Sequence, residues 1–376
     1  MRKGLLKEES ILTIPNTFAF MLHPIDLADL SRKFPLADRV PKRLLEQVVK
    51  YMPPVKASRI TGVKSDYGEA EGWFVGCTLT SEQMVNLPAP VVLKKIIRTG
   101  RLAEKLGAKI LGLGAMTAVV GDAGITVAKE LDIAVTTGNS YTVYTALEGV
   151  KKAAEMMEID ISNAEVLVLG ATGAIGAIAA RMMARECRYL TLVARNDSKL
   201  DGLAQQILRE TGLVCRITKD TRKALRQADI VIAVTSSSQT VIEPEDLKSG
   251  AIVCDVARPR DVSHRVAEIR DDVLVIEGGL VEVPGDVDFG LNFGYPPGLA
   301  LACMAETMML ALEGRFEDYT LGRELTLEQV EEIGLIAEKH GFRLAGFRSF
   351  ERPVPEEKIL AIKKRAQEKR LELLHA

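Results

Sequence analysis

The run VLVLGATGAIGAIAARMMA, residues 166–184, decides the fold. Its first four residues are the end of a buried strand, and the apolar spacing after Gly176 is that of a helix. Between them Gly170, Gly173 and Gly176 form a G-x-x-G-x-x-G turn. Gly170 permits the tight turn off the strand, Gly173 lets a pyrophosphate approach the backbone, and Gly176 lets the helix pack close to the sheet. The helix N-terminus then offers unpaired N–H groups and a positive dipole end to the phosphates. The strand–turn–helix context is what raises a glycine pattern to a dinucleotide fingerprint.

Outward from this turn, five more runs rich in Val, Ile and Leu follow at regular spacing: 189–195, 213–218, 229–235, 251–257 and 273–279. Six such runs predict a parallel sheet buried on both faces. The fold class expected is α/β: a doubly wound Rossmann domain over 164–290, an N-terminal α/β substrate domain over 1–135, and a linking helix within 136–163. A helical C-terminal segment over 291–376 completes it. In the N-terminal zone, 41–52 and 91–107 read as amphipathic helices, and 72–80 and 109–113 as strands.

Gly170, Thr172, Gly173, Ile175 and Gly176 are the expected pyrophosphate cradle. The cofactor is chosen at the end of the second strand, LTLVARND, where a carboxylate would accept from a ribose 2′-hydroxyl. Arg195 stands there instead, with Asn196 beside it. A guanidinium pairs with a 2′-phosphate and stacks on adenine, so NADPH is expected over NADH. Asp197 is the alternative ribose acid in a shifted register. Thr235 and Ser236, after the fourth strand, are candidates to line the nicotinamide side, or simply a polar turn.

Bulk properties bound the rest. The 376 residues carry 49 basic and 51 acidic side chains, a near-neutral balance that argues against a nucleic-acid-binding protein. Five cysteines, odd in number and never spaced as CxxC, suggest neither a disulfide framework nor a metal site, and a reducing cytoplasm is the simplest compartment. The N-terminus, interrupted by Glu8 and Glu9, makes a poor signal peptide. The apolar run 110–128 contains four glycines and Asp122, so no transmembrane segment is expected.

Cys303 lies just after PPG, in the first turns of the helix predicted over 299–312. A cysteine there gains thiolate character from the helix dipole, although an apolar helix is also an ordinary place for a core cysteine. The blocks TTGNSYTVY (136–144), EIDISNAEVLVLGATGAIG (158–176), LVARN, GGLVE, DVD (286–288), ACMAETMMLALEG (302–314) and EKHGF (338–342) give the chain a wider likeness. To Phe347 it resembles the cyanobacterial long-chain acyl-[acyl-carrier-protein] reductases, which form fatty aldehydes with NADPH. The resemblance implies that Cys303 takes the acyl group as a thioester, and that NADPH supplies the hydride releasing the aldehyde. It also implies an acyl carrier protein or acyl-CoA as substrate carrier. Val283 replaces the family's usual histidine, the loop from Asp288 to Cys303 is shorter, and the charged tail after about Phe350 has no counterpart.

An acyl-enzyme route needs donors for an oxyanion, for which Asn139 and Ser140 are the candidates, or else helix-capping residues. His23 and His340 are the candidate proton donors, and Cys77 the second candidate nucleophile. Lys94, Lys95, Arg98, Arg101 and Lys105 share one helix and are a candidate docking face for an acidic carrier. Two other readings stay open. CDVARPRDV (254–262) and the GNS turn also resemble shikimate dehydrogenases and glutamyl-tRNA reductases, which would mean a small polar acid as substrate. A non-catalytic NADP-sensing protein would keep the glycines without needing Cys303.

Overall fold

The computed structural model describes residues 16–25, 41–237, 239–257, 259–350 and 352–374. The first part is built on β1 (Asn16–Leu22), α1 (Lys42–Tyr51), β2 (Val55–Ser65), β3 (Gly68–Gly76), α2 (Ser81–Asn86) and α3 (Ala89–Lys105). It continues through β4 (Ile110–Leu113), α4 (Ile125–Lys129) and β5 (Ala134–Thr136). The five strands form one sheet in the order β2-β3-β1-β4-β5, parallel except for the β2–β3 hairpin. The strand expected over 72–80 is shifted towards the N-terminus, and three strands, β1, β2 and β5, went unread. β2 hides because its register shifts at Lys56/Ser58 and at Ile60/Val63, which breaks the alternation a half-buried strand shows in sequence.

Alternate residues of this sheet feed two separate cores. Ala19, Met21, Val75, Leu111 and Leu113 pack beneath Val92, Ile96 and Ala103 of α3. Phe18, Phe20, Phe74 and Ile110 face the other way. Period-two geometry thus gives the sheet one covered face and one face to be covered by a later segment.

The helix α5 (Asn139–Met157) then crosses between the two sheets, and its buried residues span most of its circumference. The second sheet contains β6 (Glu165–Leu169), β7 (Tyr189–Val193), β8 (Arg216–Thr218), β9 (Ile230–Ala233), β10 (Ile252–Asp255) and β11 (Leu274–Glu277). Between the strands come α6 (Ala174–Met183), α7 (Asp197–Thr211), α8 (Thr221–Gln227) and α9 (His264–Ile269). Its order is β11-β10-β9-β6-β7-β8, every pair parallel. This is the doubly wound Rossmann order, with the strand order reversing between β6 and β9, where such sheets bind ligands.

From β11 the chain passes through β12 (Leu280–Glu282) and β13 (Leu299–Leu301), an antiparallel pair, into α10 (Ala302–Leu312) and α11 (Leu327–His340). Short strands β14 (Arg343–Leu344), β15 (Arg348–Ser349) and β16 (Arg352–Pro353) lead to α12 (Glu356–Leu374). Residues 291–376 do not form a unit of their own. The apolar side of α10, with Met304, Met308 and Leu312, covers the open face of the first sheet. Ile359, Ile362 and Ala366 of α12 are buried, the two isoleucines in the core shared by α5 and the second sheet. Among the described residues, no helix is long and apolar enough to cross a membrane.

Candidate active site

The glycine turn sits at the carboxyl end of β6, as the sheet order requires. Gly170 has φ +88°, and a Cβ there would lie 2.8 Å from the Val234 carbonyl oxygen. At Gly176 a Cβ would overlap the Gly170 carbonyl and come within 3.0 Å of the Ala171 Cα. Both glycines are demanded by the protein itself. Gly173 is different: it is exposed, and the nearest atom to a Cβ is 3.4 Å away, an ordinary contact. The protein itself would accept a Cβ there, and the space in front of the α6 start is open to a ligand. Gly173 is also the N-cap of α6, with no side-chain cap. The N–H groups of Gly170 and Ala171 tie the turn to the Val193 carbonyl at 2.8 and 3.1 Å. Thr172 and Ile175 are half-buried on the same turn. These residues fit a dinucleotide pyrophosphate.

At the end of β7, Arg195 is exposed and makes no ion pair among the described residues. Asp197, the alternative ribose acid, is engaged with Lys219 at 2.5 Å. Asn196 has its side chain turned onto the Lys199 N–H at 3.0 Å, capping α7, so its part at this site is structural. Thr235 also needs correction. Its hydroxyl and N–H both donate to Asp261, at 2.5 and 2.9 Å, so the side chain holds the loop together instead of facing a nicotinamide. Ser236 beside it is exposed. Burial raises the Asp261 carboxyl to about 6, with Asp255 adding to the rise and Thr235 opposing it. The reading from sequence missed Asp255 and Asp261; their signal was the two aspartates of CDVARPRDV.

Cys303 is the second residue of α10, half-buried at the rim of the core that covers the first sheet. Leu22, Val287 and Phe293 are among the partly buried apolar residues packed against the same core. Two backbone contacts fix its place. The Ala302 N–H donates to the Gly279 carbonyl at 2.6 Å, which hangs the start of α10 from the loop after β11. On the other side Gly138, the left-handed N-cap of α5 at φ +75°, lies so close that a Cβ would overlap the Cα and Cβ of Cys303. The N-termini of α5 and α10 and the carboxyl end of the Rossmann sheet therefore converge on one cysteine.

One turn along α10, Glu306 is wholly buried. Its Oε1 accepts from the Thr136 hydroxyl at 2.5 Å and the Thr320 hydroxyl at 2.8 Å. Its Oε2 accepts from the Ser140 hydroxyl at 2.6 Å and the Tyr141 N–H at 3.0 Å. This overturns Ser140 as a side-chain oxyanion donor, because its hydroxyl is spent on Glu306. Asn139, half-buried as the first residue of α5, stays beside the cysteine. Glu306 lies in a block quoted for its family likeness, but nothing in its spacing from Cys303 announced the network.

Neither histidine is placed to give up a proton. The His23 Nε2 accepts from the Met116 N–H at 3.1 Å and its Nδ1 faces the Pro24 carbonyl at 2.9 Å, which defines a neutral ring whose proton is used on the backbone. His340 lies between Ser65 and Glu313, each at 2.7 Å, and Glu313 caps the end of α10 remote from Cys303. Ten residues of helix separate them, about 15 Å. Cys77 is wholly buried, and burial pushes its thiol up, so it is a core residue and not a nucleophile.

The basic helix is α3, which covers the sheet face away from α10. Lys95 donates to the carbonyls of Lys50 and Met52 at 2.9 and 2.5 Å and so drops out of the surface patch. Arg98, Arg101 and Lys105, with Pro54 and Leu102, line a cavity of about 330 Å³ there. It does not adjoin the cysteine. Among the described residues no cluster of His, Cys, Asp or Glu is fit to hold a metal.

Comparison with known proteins agrees with this architecture. Residues 150–277 match the shikimate / quinate 5-dehydrogenase family. The long-chain acyl-[acyl-carrier-protein] reductase of Synechococcus elongatus is 29% identical over 306 residues, 77% of this chain and 87% of that protein. Aminotransferase PigE of a Serratia strain is 30% identical over 323 residues, 85% of this chain but only 37% of that protein. A glutamyl-tRNA reductase of Roseiflexus is 28% identical over 143 residues, 36% of this chain and 32% of that protein. The chain is an oxidoreductase of Rossmann type, distantly related to acyl-carrier-protein reductase and glutamyl-tRNA reductase.

Proposed function

We propose that the protein reduces a fatty acyl thioester, carried on coenzyme A or an acyl carrier protein, to an aldehyde through an acyl-enzyme on Cys303. The observation that carries this is the setting of Cys303: a helix-start cysteine pressed against a second helix start and packed on an apolar core.

The chemistry follows from the parts. Cys303 Sγ attacks the thioester carbonyl, and the carrier's thiol leaves with the proton the cysteine gave up. The first N–H groups of α5, at Asn139 and Ser140, are the donors we assign to the oxyanion. Gly170, Gly173, the start of α6 and Arg195 would hold NADPH, which when bound would supply the hydride. The reduced adduct then collapses, with the C–S bond breaking to release aldehyde and return the Cys303 thiolate. No acid is required in that last step, which fits the engagement of both histidines elsewhere.

The test is intact-mass analysis after mixing with palmitoyl-CoA in the absence of nucleotide, followed by NADPH and aldehyde trapping. One acyl adduct is expected, absent from Cys303→Ala, discharged as aldehyde when NADPH is added. An enzyme that turns over acyl-CoA with Cys303→Ala as fast as the parent would refute the reading.

A further inference from the structure

The turn from β5 into α5, residues 136–141, is gripped at both ends by one buried side chain. Glu306 Oε1 accepts from the hydroxyl of Thr136, the last residue of β5. Its Oε2 accepts from the Ser140 hydroxyl and the Tyr141 N–H at the start of α5. Between these anchors lies Gly138, where a Cβ would overlap Cys303. Glu306 itself stands one turn after Cys303 in α10. The carboxylate therefore ties the helix of the cysteine to both flanks of the turn that the cysteine touches.

The start of α5 needs that grip. Its N-cap is Gly138, which has no side chain to offer the first N–H groups of the helix. Glu306 takes the part from another helix, accepting the Tyr141 N–H at 3.0 Å. The Thr142 N–H turns back to the Gly138 carbonyl at 3.3 Å. The N–H groups of Asn139 and Ser140 are left over, and among the described residues neither meets an acceptor. Ser140 is wholly buried. A buried N–H without an acceptor is costly and calls for a reason, and an oxyanion formed beside the cysteine supplies one. Stability alone would not call for the acid, since an apolar pair fastens two helices without taking a carboxyl out of water.

We propose that Glu306 is a positioning residue for acyl transfer: it holds the Asn139 and Ser140 N–H groups where the thioester oxygen becomes negative, and acts on the chemistry through them. The inference rests on the acyl-enzyme reading above. It divides two reactions of one thiol. Attack on a thioester builds an oxyanion and needs the donors, whereas displacement of iodide from iodoacetamide by Cys303 Sγ builds none. Both require a folded protein with the cysteine accessible.

The experiment measures both rates by intact mass, with palmitoyl-CoA and with iodoacetamide, in the parent, E306A, E306D and E306Q, with Cys303→Ala as the blank for the other cysteines. Each rate is followed against pH, which separates a shifted thiol titration from a lower plateau, and melting temperature checks the fold. In E306A the acylation plateau is expected to fall by about a hundredfold, with alkylation within about threefold of the parent. E306D, a methylene too short to reach both flanks, carries the test should E306A not fold, with a loss of about tenfold. E306Q, whose amide oxygen still accepts from Ser140 and Tyr141, should acylate within about threefold of the parent. Parental acylation in folded E306A or E306D overturns the role of Glu306. So does an equal fall in both reactions, the mark of a merely structural residue, or an E306Q as slow as E306A. Each of these results leaves the acyl-enzyme standing, whereas failure of palmitoyl-CoA to acylate the parent overturns both.

Discussion

Gly138 and Cys303 touch through their backbones: a side chain on the first would occupy the Cα and Cβ positions of the second and lie 2.8 Å from its carbonyl oxygen. The start of α5 is thereby set directly against the start of the cysteine helix. Gly138→Ala must also adopt φ +75°, which L residues avoid. We expect a loss of about 2–4 kcal/mol, read as a lower denaturant midpoint. Because a displacement of about 1 Å at a reacting group costs on the order of a hundredfold, turnover should fall by about that factor even in the folded fraction. A G138A enzyme with parental kcat would show that the contact has no catalytic meaning.

Glu306 ties the end of β5, the start of α5 and the loop at Thr320 to the cysteine helix. Removing the carboxylate in E306A strands the Ser140 hydroxyl and the Tyr141 N–H in a closed site and leaves the Thr136 and Thr320 hydroxyls only each other, at about 3–5 kcal/mol. E306Q keeps the shape: the Thr136 and Thr320 hydroxyls can reverse to accept from its NH2 while its oxygen still accepts from Ser140 and Tyr141, so most of the stability should return. Urea unfolding of both variants decides it. Equal losses would mean that Glu306 matters through its charge and not as an acceptor hub.

Legibility in the sequence followed how local each signal was. The Rossmann half declared itself because six apolar runs and a glycine turn are contiguous features with fixed periods. β2 did not, since two register shifts spoil its alternation. Cys303 stands out as a candidate from a helix start and from likeness, but the bonds from Glu306 to Thr136, Ser140 and Tyr141 join residues 165–170 positions apart, and no period in a sequence records such a meeting. Ser140, Thr235 and the two histidines were credible by residue type. Only their hydrogen-bond partners show that each is already employed.

Arg195 bears on the cofactor. Exposed at the end of β7, with Asp197 drawn off by Lys219, it is the cation we assign to a 2′-phosphate. Losing a charge-assisted pair should weaken NADPH by roughly tenfold to a hundredfold. R195A titrated with NADPH and NADH should therefore show the first Kd rising by that factor and the second little changed. Parallel weakening of both would assign Arg195 to the adenine and not to the phosphate.

The basic face of α3 is separated from Cys303 by the sheet itself, roughly two layer spacings of about 10 Å each. That exceeds the ~8 Å screening length at physiological salt. Reversing Arg98 and Arg101 together to glutamate should leave kcat/KM for acyl-CoA within about twofold. A collapse of acyl-CoA turnover in this folded variant would place the thioester's entry on α3, against the geometry.

Asp261 gives a pH signature. Its carboxyl rises from an ordinary 3.8 to about 6, first through burial and then through Asp255. The folded chain thus holds this proton more tightly than the unfolded chain does, so between about pH 4 and pH 6 folding binds protons, and stability falls as pH rises. Above that window the penalty is complete and constant. Two units correspond to about 3 kcal/mol. Asn at this position keeps an acceptor for Thr235 and cannot ionise, so D261N should escape the loss. Urea midpoints for both proteins at pH 4.5 and pH 7.5 isolate the effect, because every other titrating group is common to the pair. The difference D261N minus parent should move in favour of the variant by about 2–3 kcal/mol on raising the pH, and a difference independent of pH would mean that Asp261 is ionised throughout, with Thr235 outweighing its burial.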